Sequence, residues 1–150
     1  MQDTKRRLKR VDLIFTEDCS YRGVLEQTLK RPKEDIIQDI LDSGLRGRGG
    51  AGFPTGLKWK FTSQEESEEK FVICNADEGE PGTFKDREIL LRVPYKVFGG
   101  MAVCAYTIGA REGYMYLRGE YEFLKEDIQN KIDEFHKVLD EIGFDFRIKL

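Results

Sequence analysis

The sequence has few of the features that mark membrane, disulfide-rich or metal-binding proteins. No apolar run approaches the ~20 residues of a membrane-spanning helix, and the charged N-terminus lacks the long apolar stretch of a signal peptide. The three cysteines, Cys19, Cys74 and Cys104, are widely spaced and form no C-x-x-C pair. The chain alone therefore has no pattern for a disulfide framework, a zinc site or an iron–sulfur cluster. We expect a cytoplasmic protein, or one on the cytoplasmic side of a larger assembly.

An excess of positive charge is also lacking. The net charge is −3, which gives no argument for nucleic-acid binding. Basic residues are concentrated only at the N-terminus, where the first ten residues include Lys5, Arg6, Arg7, Lys9 and Arg10. This segment is either a solvated arm or a docking arm for an acidic partner subunit.

Glycine, in contrast, is concentrated in one stretch. Residues 43–59 hold six of the fifteen glycines, together with Arg46, Arg48 and Lys58. Free backbone N–H groups among cations indicate an anionic ligand such as a phosphate. The segment from Gly47 to Gly52 matches G-x-G-x-x-G, but a helix is predicted before it, and we expect Pro54 and Gly56 to delay any helix after it. The ordinary dinucleotide-binding interpretation therefore does not apply.

An acidic turn forms the second candidate site. It follows residues 71–74, an apolar run that predicts a strand covered on both faces, and ligands bind beyond the carboxyl ends of such strands. Asp77, Glu78 and Glu80 are better suited to accept hydrogen bonds from ribose hydroxyls, a carboxamide or a flavin N–H than to bind a metal, because no suitable histidine accompanies them. Asn75 can both donate and accept.

Two phenylalanines bracket the end of the glycine-rich stretch, Phe53 within it and Phe61 just after it. Phe53 and Phe61 are poorly placed for a core, and exposed aromatic rings beside a phosphate site can stack on a purine or flavin. The alternative is a glycine-rich turn with two core phenylalanines.

The remaining pattern alternates helix and strand. This predicts an α/β layered fold with a mainly parallel sheet. The predicted helices are residues 21–29, 32–43, 86–91, 95–108 and 121–142, and the predicted strands are residues 11–15, 71–74, 114–117 and 144–150. The last helix carries an apolar stripe of Leu124, Ile128, Ile132, Phe135 and Leu139. We interpret His136, beside that stripe, as structural.

Two segments carry a resemblance to a known family. GLRGRGGAGFPTGLKW at residues 44–59 and NADEGEPGTFKDR at residues 75–87 closely resemble the NADH-binding flavoprotein subunit of respiratory complex I. They also resemble the diaphorase subunits of NAD-reducing hydrogenases and NAD-dependent formate dehydrogenases. Gly79 and the LRGEY sequence at residues 117–121 look more like the latter branch. The similarity begins near residue 32, which divides the chain into an N-terminal extension, 1–31, and the N-terminal part of an FMN/NADH-binding domain, 32–150.

The resemblance implies a Rossmann-like FMN-binding domain, with an atypical glycine loop after a helix, in an NADH:acceptor oxidoreductase. NADH would give a hydride to FMN, which passes electrons on to iron–sulfur clusters. The implied FMN contacts are Gly47, Arg48, Gly49, Lys58, Asn75, Asp77 and Glu78. Gly50 would let NADH lie close to the flavin, Phe53 and Phe61 would stack on the adenine, and Glu80 would lie near the nicotinamide. No side chain is implied to be catalytic, and none to bind a metal.

Members of this family are longer than 150 residues. They carry a second glycine-rich segment that completes the FMN pocket and a later domain whose four cysteines hold a [4Fe–4S] cluster, and neither is present here. The resemblance therefore implies the N-terminal portion of a subunit, active when complemented by the remaining part and by iron–sulfur partner subunits, without membrane insertion. The alternative is a non-redox nucleotide-binding or assembly module.

Overall fold

The computed structural model describes residues 12, 14–16 and 20–150. The basic N-terminal segment and Cys19 lie outside the described residues. Residues 11 and 13 of the predicted strand at residues 11–15 also lie outside the described residues. The prediction is wrong for Ile14 and Phe15, which form a bend.

The chain alternates helices and strands, as predicted for an α/β fold. Three helices come first: α1 (Tyr21–Thr28), α2 (Lys33–Asp42) and α3 (Thr55–Gln64). Strand β1 (Phe71–Ala76) leads through α4 (Lys85–Arg92) and α5 (Pro94–Ile108) to β2 (Glu112–Leu117). A 3₁₀ helix (Gly119–Leu124) and α6 (Lys125–Glu141) then precede β3 (Arg147–Lys149).

The three strands form one parallel sheet in the order β1-β2-β3. Phe71 lies opposite Glu112 and Ala76 opposite Leu117, while Gly113 pairs with Ile148. A side chain at Gly113 would place its Cβ 2.7 Å from the ring of Phe146, so glycine is required there for packing. The parallel sheet and layered α/β class confirm the predicted fold class.

The core lies between the sheet and the helices α5 and α6. Phe98, Ala102 and Ala105 of α5 are fully buried at its centre. The predicted stripe of the last helix is buried throughout, from Leu124 to Leu139, although the first turns form the 3₁₀ helix rather than α-helix. Leu25 of α1 belongs to the same core.

Only one face of the sheet is covered by the described residues. Val72, Ala76, Met115 and Ile148 are buried beneath the helices. On the other face Phe71 is 44% and Ile73 72% exposed, and Tyr114 and Tyr116 of β2 are exposed beside them. The prediction that β1 is covered on both faces is therefore wrong, because both crossovers, through α5 and α6, pack on the same side.

No helix is predicted at residues 55–64, where the structure has α3. Pro54 occupies its N-cap position, and Lys58, Trp59 and Phe61 lie within the helix. Gly56 lies inside the helix because α3 crosses α2 closely: a Cβ there would be 2.7 Å from Leu41 Cγ. The expectation that Pro54 and Gly56 delay the helix is wrong, since one starts it and the other permits its packing.

Among the described residues, no single helix is long and apolar enough to cross a membrane. Helices α4 and α5 meet that length and composition only when taken together, and they are bent by 93° relative to each other.

Candidate functional site

A cavity of about 430 Å³ lies at the carboxyl end of β1. It brings together two segments far apart in sequence, which we call the glycine loop (residues 45–54) and the acidic turn (residues 75–82). Its lining residues are Arg48, Gly49, Asn75, Asp77, Glu78, Gly79, Glu80, Thr83, Lys85 and Asp86. The end of a parallel strand is where open α/β sheets bind ligands, so the cavity lies at the expected edge of the sheet.

The glycine loop is closed at its base and exposed at its tip. Arg46 and Pro54 form an isolated antiparallel bridge. The N–H of Gly47 donates to the carbonyl of Phe53 at 2.9 Å, and the guanidinium of Arg46 donates to the carbonyl of Gly52 at 3.1 Å. The tip needs glycine torsions, with φ of 102° at Gly50 and 61° at Gly52.

The backbone N–H groups at the tip are available to a ligand. The described residues offer no hydrogen-bond acceptor to the N–H groups of residues 48–51. The nearby guanidinium of Arg48 adds positive charge to the lining of the cavity. Free N–H groups beside a cation suit a phosphate or another anion.

The acidic turn is shaped by short-range hydrogen bonds. Asn75 Oδ1 accepts from the N–H of Asp77 at 3.0 Å, which leaves the Asn75 amide NH₂ free to donate. The carbonyl of Glu80 accepts from the Thr83 hydroxyl at 2.6 Å. The side chains of Asp77 and Glu80 are exposed at the cavity, where they can accept hydrogen bonds from a ligand.

Glu78 behaves differently from its acidic neighbours, because it is only 4% exposed. Its Oε1 accepts from the N–H of Asp86 at 3.0 Å, while its Oε2 accepts from the N–H of Arg87 at 3.4 Å and from the hydroxyl of Tyr121 at 2.7 Å. Both oxygens are thus engaged by the protein itself. The carboxylate lies at the start of α4, where negative charge is favourable.

The charged form of Glu78 is stabilised in the folded chain. Burial raises the pKa of Glu78, but hydrogen bonds from the Asp86 N–H, the Tyr121 hydroxyl and the Arg87 N–H outweigh it. The net pKa is therefore below the usual value, and the carboxylate is ionised at neutral pH.

The structure brings six of the eleven predicted site residues into the lining of the cavity. Arg48 and Gly49 meet Asn75, Asp77, Glu78 and Glu80 in its lining, whereas Gly47, Gly50, Phe53, Lys58 and Phe61 do not line it. Phe53 and Phe61 form an exposed pair with ring centroids 6.5 Å apart and planes tilted by 50°. The alternative that they are core phenylalanines is wrong.

Sequence reasoning missed several residues of the site. Thr83, Lys85 and Asp86 also line the cavity. Tyr121 and Arg118 support it from behind, since Arg118 Nη1 donates to the carbonyl of Glu78. The signal was available: these two residues follow β2, and the carboxyl ends of neighbouring parallel strands meet at one edge of a sheet.

Other titratable groups serve the fold. His136 Nε2 accepts from the N–H of Ile148 at 2.9 Å, and burial, together with the charge of Arg147, lowers the pKa of its imidazole. Burial raises the pKa of the Cys104 thiol to about 12. In the part of the chain that the structure describes, no group of three His, Cys, Asp or Glu side chains is placed to hold a metal ion.

Comparison of the sequence with known proteins finds relatives among the subunits of two kinds of enzyme complex. The chain is 52% identical over 145 residues to NAD-reducing hydrogenase HoxS subunit alpha of Cupriavidus necator, covering 92% of this chain and 24% of that protein. It is 46% identical over 117 residues to a subunit of the NADH-quinone oxidoreductase of Rhizobium meliloti, covering 78% of this chain and 28% of the relative.

Comparison with solved structures finds the same kind of enzyme as the first sequence relative. An NAD⁺-reducing [NiFe]-hydrogenase in the H₂-reduced state superposes with a TM-score of 0.73 at 41% identity, covering 83% of this chain and 22% of that one. The chain thus spans about a quarter of the length of the relatives it matches.

A family match covers most of the chain. Residues 40–148, which contain both the glycine loop and the acidic turn, match the Nuo51 FMN-binding domain. The chain therefore belongs to the Nuo51 FMN-binding domain family.

Proposed function

We propose that this chain supplies one wall of the FMN- and NADH-binding site of an NADH-oxidising oxidoreductase. The observation that carries the proposal is the cavity at the end of β1, which is lined by the glycine loop on one side and the acidic turn on the other. A wall that binds anions thus faces a wall that accepts hydrogen bonds, as a flavin nucleotide requires.

The residues present fit FMN. The free N–H groups of residues 48–51 and the guanidinium of Arg48 suit its phosphate, and the absence of a Cβ at Gly49 keeps the approach open, with no atom within 4 Å of the position a Cβ would take. The NH₂ of Asn75 and the carboxylate of Asp77 suit the ribityl hydroxyls and the ring edge. When bound, FMN accepts a hydride from NADH and releases electrons one at a time.

The residues beside the cavity have proposed roles toward NADH. The exposed rings of Phe53 and Phe61 offer a surface on which adenine stacks, and Gly50 allows close approach of the dinucleotide. Lys58, on helix α3, has its proposed role toward FMN instead, where it offsets phosphate charge. Glu80 would serve the nicotinamide end of NADH, and Glu78 would support the FMN-binding turn rather than act as an exposed ligand, because its oxygens are engaged by the protein.

The names of the relatives indicate how the activity is organised. They are subunits of an NADH-quinone oxidoreductase and of an NAD-reducing hydrogenase, which does not favour the non-redox alternative. We propose that this chain acts with the remaining part of such a subunit, which holds the [4Fe–4S] cluster, and with iron–sulfur partner subunits at the cytoplasmic side of a complex.

Flavin fluorescence tests the proposal. FMN is titrated with the chain, alone and after addition of the C-terminal remainder of HoxS subunit alpha, and quenching reports binding. Replacing Arg48 with alanine should raise the Kd for FMN about tenfold, the effect of losing one charged hydrogen bond. Arg111→Ala is the matched control, since Arg111 is exposed at the opposite, amino-terminal end of β2. Absence of quenching even after complementation would refute the proposal.

A further inference from the structure

Three hydrogen bonds join the segment after β2 to the acidic turn. The N–H of Arg118 donates to the carbonyl of Ala76 at 3.3 Å, at the end of β1. The guanidinium of Arg118 donates to the carbonyl of Glu78. The hydroxyl of Tyr121 donates to the Glu78 carboxylate at 2.7 Å, and Tyr121 is only 8% exposed.

The carboxylate of Glu78 joins three elements of the fold. Glu78 lies two residues after the end of β1, and its carboxylate accepts two N–H groups from the start of α4 and the hydroxyl of Tyr121 from the 3₁₀ helix after β2. Every buried side-chain nitrogen and oxygen in the described part of the chain has a hydrogen-bond partner. Removal of one donor therefore leaves a buried charge less well satisfied, which is more costly than losing an exposed contact.

The residues held by this network are those that face the cavity. Asp77 precedes Glu78 and Glu80 follows it by two positions, and both are exposed in the lining. Tyr121 does not itself line the cavity. Any effect of its hydroxyl on ligand binding must pass through Glu78.

We infer that Tyr121 is a positioning residue, which holds the acidic turn in its ligand-binding shape through its hydrogen bond to Glu78. The inference rests on the proposed function for the identity of the ligand, FMN. The position of the acidic turn itself is a property of the chain without ligand, so it can be tested separately.

Tyr121→Phe is the variant that isolates the hydroxyl. The ring, which packs edge-on against Phe123 at 6.2 Å, is retained, so the core keeps its shape. Tyr106→Phe is the matched control: Tyr106 also uses its hydroxyl to join two segments, donating to the carbonyl of Arg31 at 2.9 Å, but it lies away from the cavity.

Hydrogen–deuterium exchange of the chain without ligand gives the first readout. Tyr121→Phe should speed the exchange of amides in residues 77–87 about fivefold, including the Asp86 and Arg87 amides that bind Glu78. A fivefold change corresponds to part of the free energy lost with one hydrogen bond to a charged group. Tyr106→Phe should leave these amides unchanged. Unchanged exchange in Tyr121→Phe would overturn the inference, whatever the chain binds.

FMN binding as a function of pH gives the second readout. In the complemented chain, Tyr121→Phe should raise the Kd for FMN about fivefold, because the acidic turn is less well ordered. The loss of binding on acidification should move to higher pH, since the hydroxyl helps keep the Glu78 carboxylate ionised. A structural defect such as that of Tyr106→Phe would not move the pH profile.

Other charged groups around Glu78 are kept constant in this comparison. They are Lys85, Asp86 and Arg87 on α4, Arg118 and Glu120 in the turn after β2, and Asp77 and Glu80 in the acidic turn itself. Wild-type affinity and an unshifted pH profile in Tyr121→Phe would overturn the inference. Faster exchange in a chain that binds no FMN would support it and refute only the proposed function.

Discussion

The two walls of the cavity keep their shapes in different ways. The glycine loop is exposed, and a few backbone hydrogen bonds at its base, together with the positive φ angles of Gly50 and Gly52, define its path. The acidic turn is built over the buried carboxylate of Glu78, which is held by α4 and by Tyr121. Backbone torsions shape the glycine loop, whereas the hydrogen-bonded carboxylate of Glu78 shapes the acidic turn.

This difference predicts how each wall responds to a ligand. The glycine loop has unused N–H groups at its tip and few contacts to hold it, so it should adjust when an anion binds. The acidic turn is already ordered and should move little. Mutations should accordingly act on the glycine loop through its anchors and torsions, and on the acidic turn through Glu78.

The largest effect is expected at Gly56, where α3, the helix after the glycine loop, crosses α2. In Gly56→Ala the new Cβ would lie 2.7 Å from Leu41 Cγ and 2.9 Å from the Leu41 nitrogen, so α2 and α3 must separate. We expect the free energy of unfolding to fall by about 2 kcal/mol, the typical cost of overpacking. Urea denaturation followed by circular dichroism measures the change.

Gly100→Ala in α5 is the control for this substitution. Gly100 is also helical and nothing lies within 4 Å of its Cβ position, so alanine should increase stability by about 0.5–1 kcal/mol. A Gly56→Ala variant as stable as wild type would show that α2 and α3 can separate without cost.

The next effect is expected at Glu78 and depends on pH. Its folded pKa lies below the ordinary value of 4.5, so the ionised carboxylate stabilises the fold above about pH 4.5, and this contribution is lost as the pH falls through the folded pKa. Glu78→Gln should lower the folding equilibrium constant about tenfold at pH 7. The gap between wild type and variant should narrow at pH 3.5.

Urea denaturation at the two pH values measures this gap. Glu68→Gln serves as the control, because Glu68 is exposed in the connection between α3 and β1. This variant should have the same free energy of unfolding as wild type at both pH values. A Glu78→Gln variant as stable as wild type at pH 7 would contradict the view that the acidic turn is built over a charge.

A smaller loss is expected at the tip of the glycine loop. Gly50 has φ of 102°, which a residue with a Cβ adopts only under strain, so Gly50→Ala should lower the free energy of unfolding by about 1 kcal/mol. Thermal unfolding monitored by circular dichroism measures it. An unchanged melting temperature would show that the loop reaches another path at no cost.

The smallest change in stability is expected one residue earlier. Gly49 has no neighbouring atom within 4 Å of its Cβ position and no positive φ, so Gly49→Ala should alter the free energy of unfolding by less than about 0.5 kcal/mol. Its methyl group would nevertheless enter the cavity and should raise the Kd for FMN severalfold in the fluorescence titration. Equal FMN affinity of wild type and variant would place the phosphate elsewhere.

The sequence predicted most of the fold because local signals agreed with tertiary structure. The stripe from Leu124 to Leu139 and the alternation of helix and strand gave the layers and the parallel sheet. The two segments of the cavity were also predicted, since one is rich in glycine and the other follows a strand.

The errors arose where a partner distant in sequence decides the outcome. Gly56 has the local signature of a helix breaker, yet its role is set by Leu41 on another helix. The support of Glu78 by Tyr121 joins residues 43 positions apart. The order of the strands places both residues at one edge of the sheet, but no local pattern pairs the two side chains. The apolar run of β1 indicates burial but not how many faces the helices cover.

The uncovered side of the sheet has a practical consequence for work with this chain. Phe71, Ile73, Tyr114 and Tyr116 expose apolar side chains next to one another on β1 and β2. Contiguous exposed apolar surface promotes self-association and the binding of hydrophobic dyes. Light scattering at several protein concentrations should therefore accompany every stability or binding measurement, so that aggregation is not mistaken for unfolding or for ligand binding.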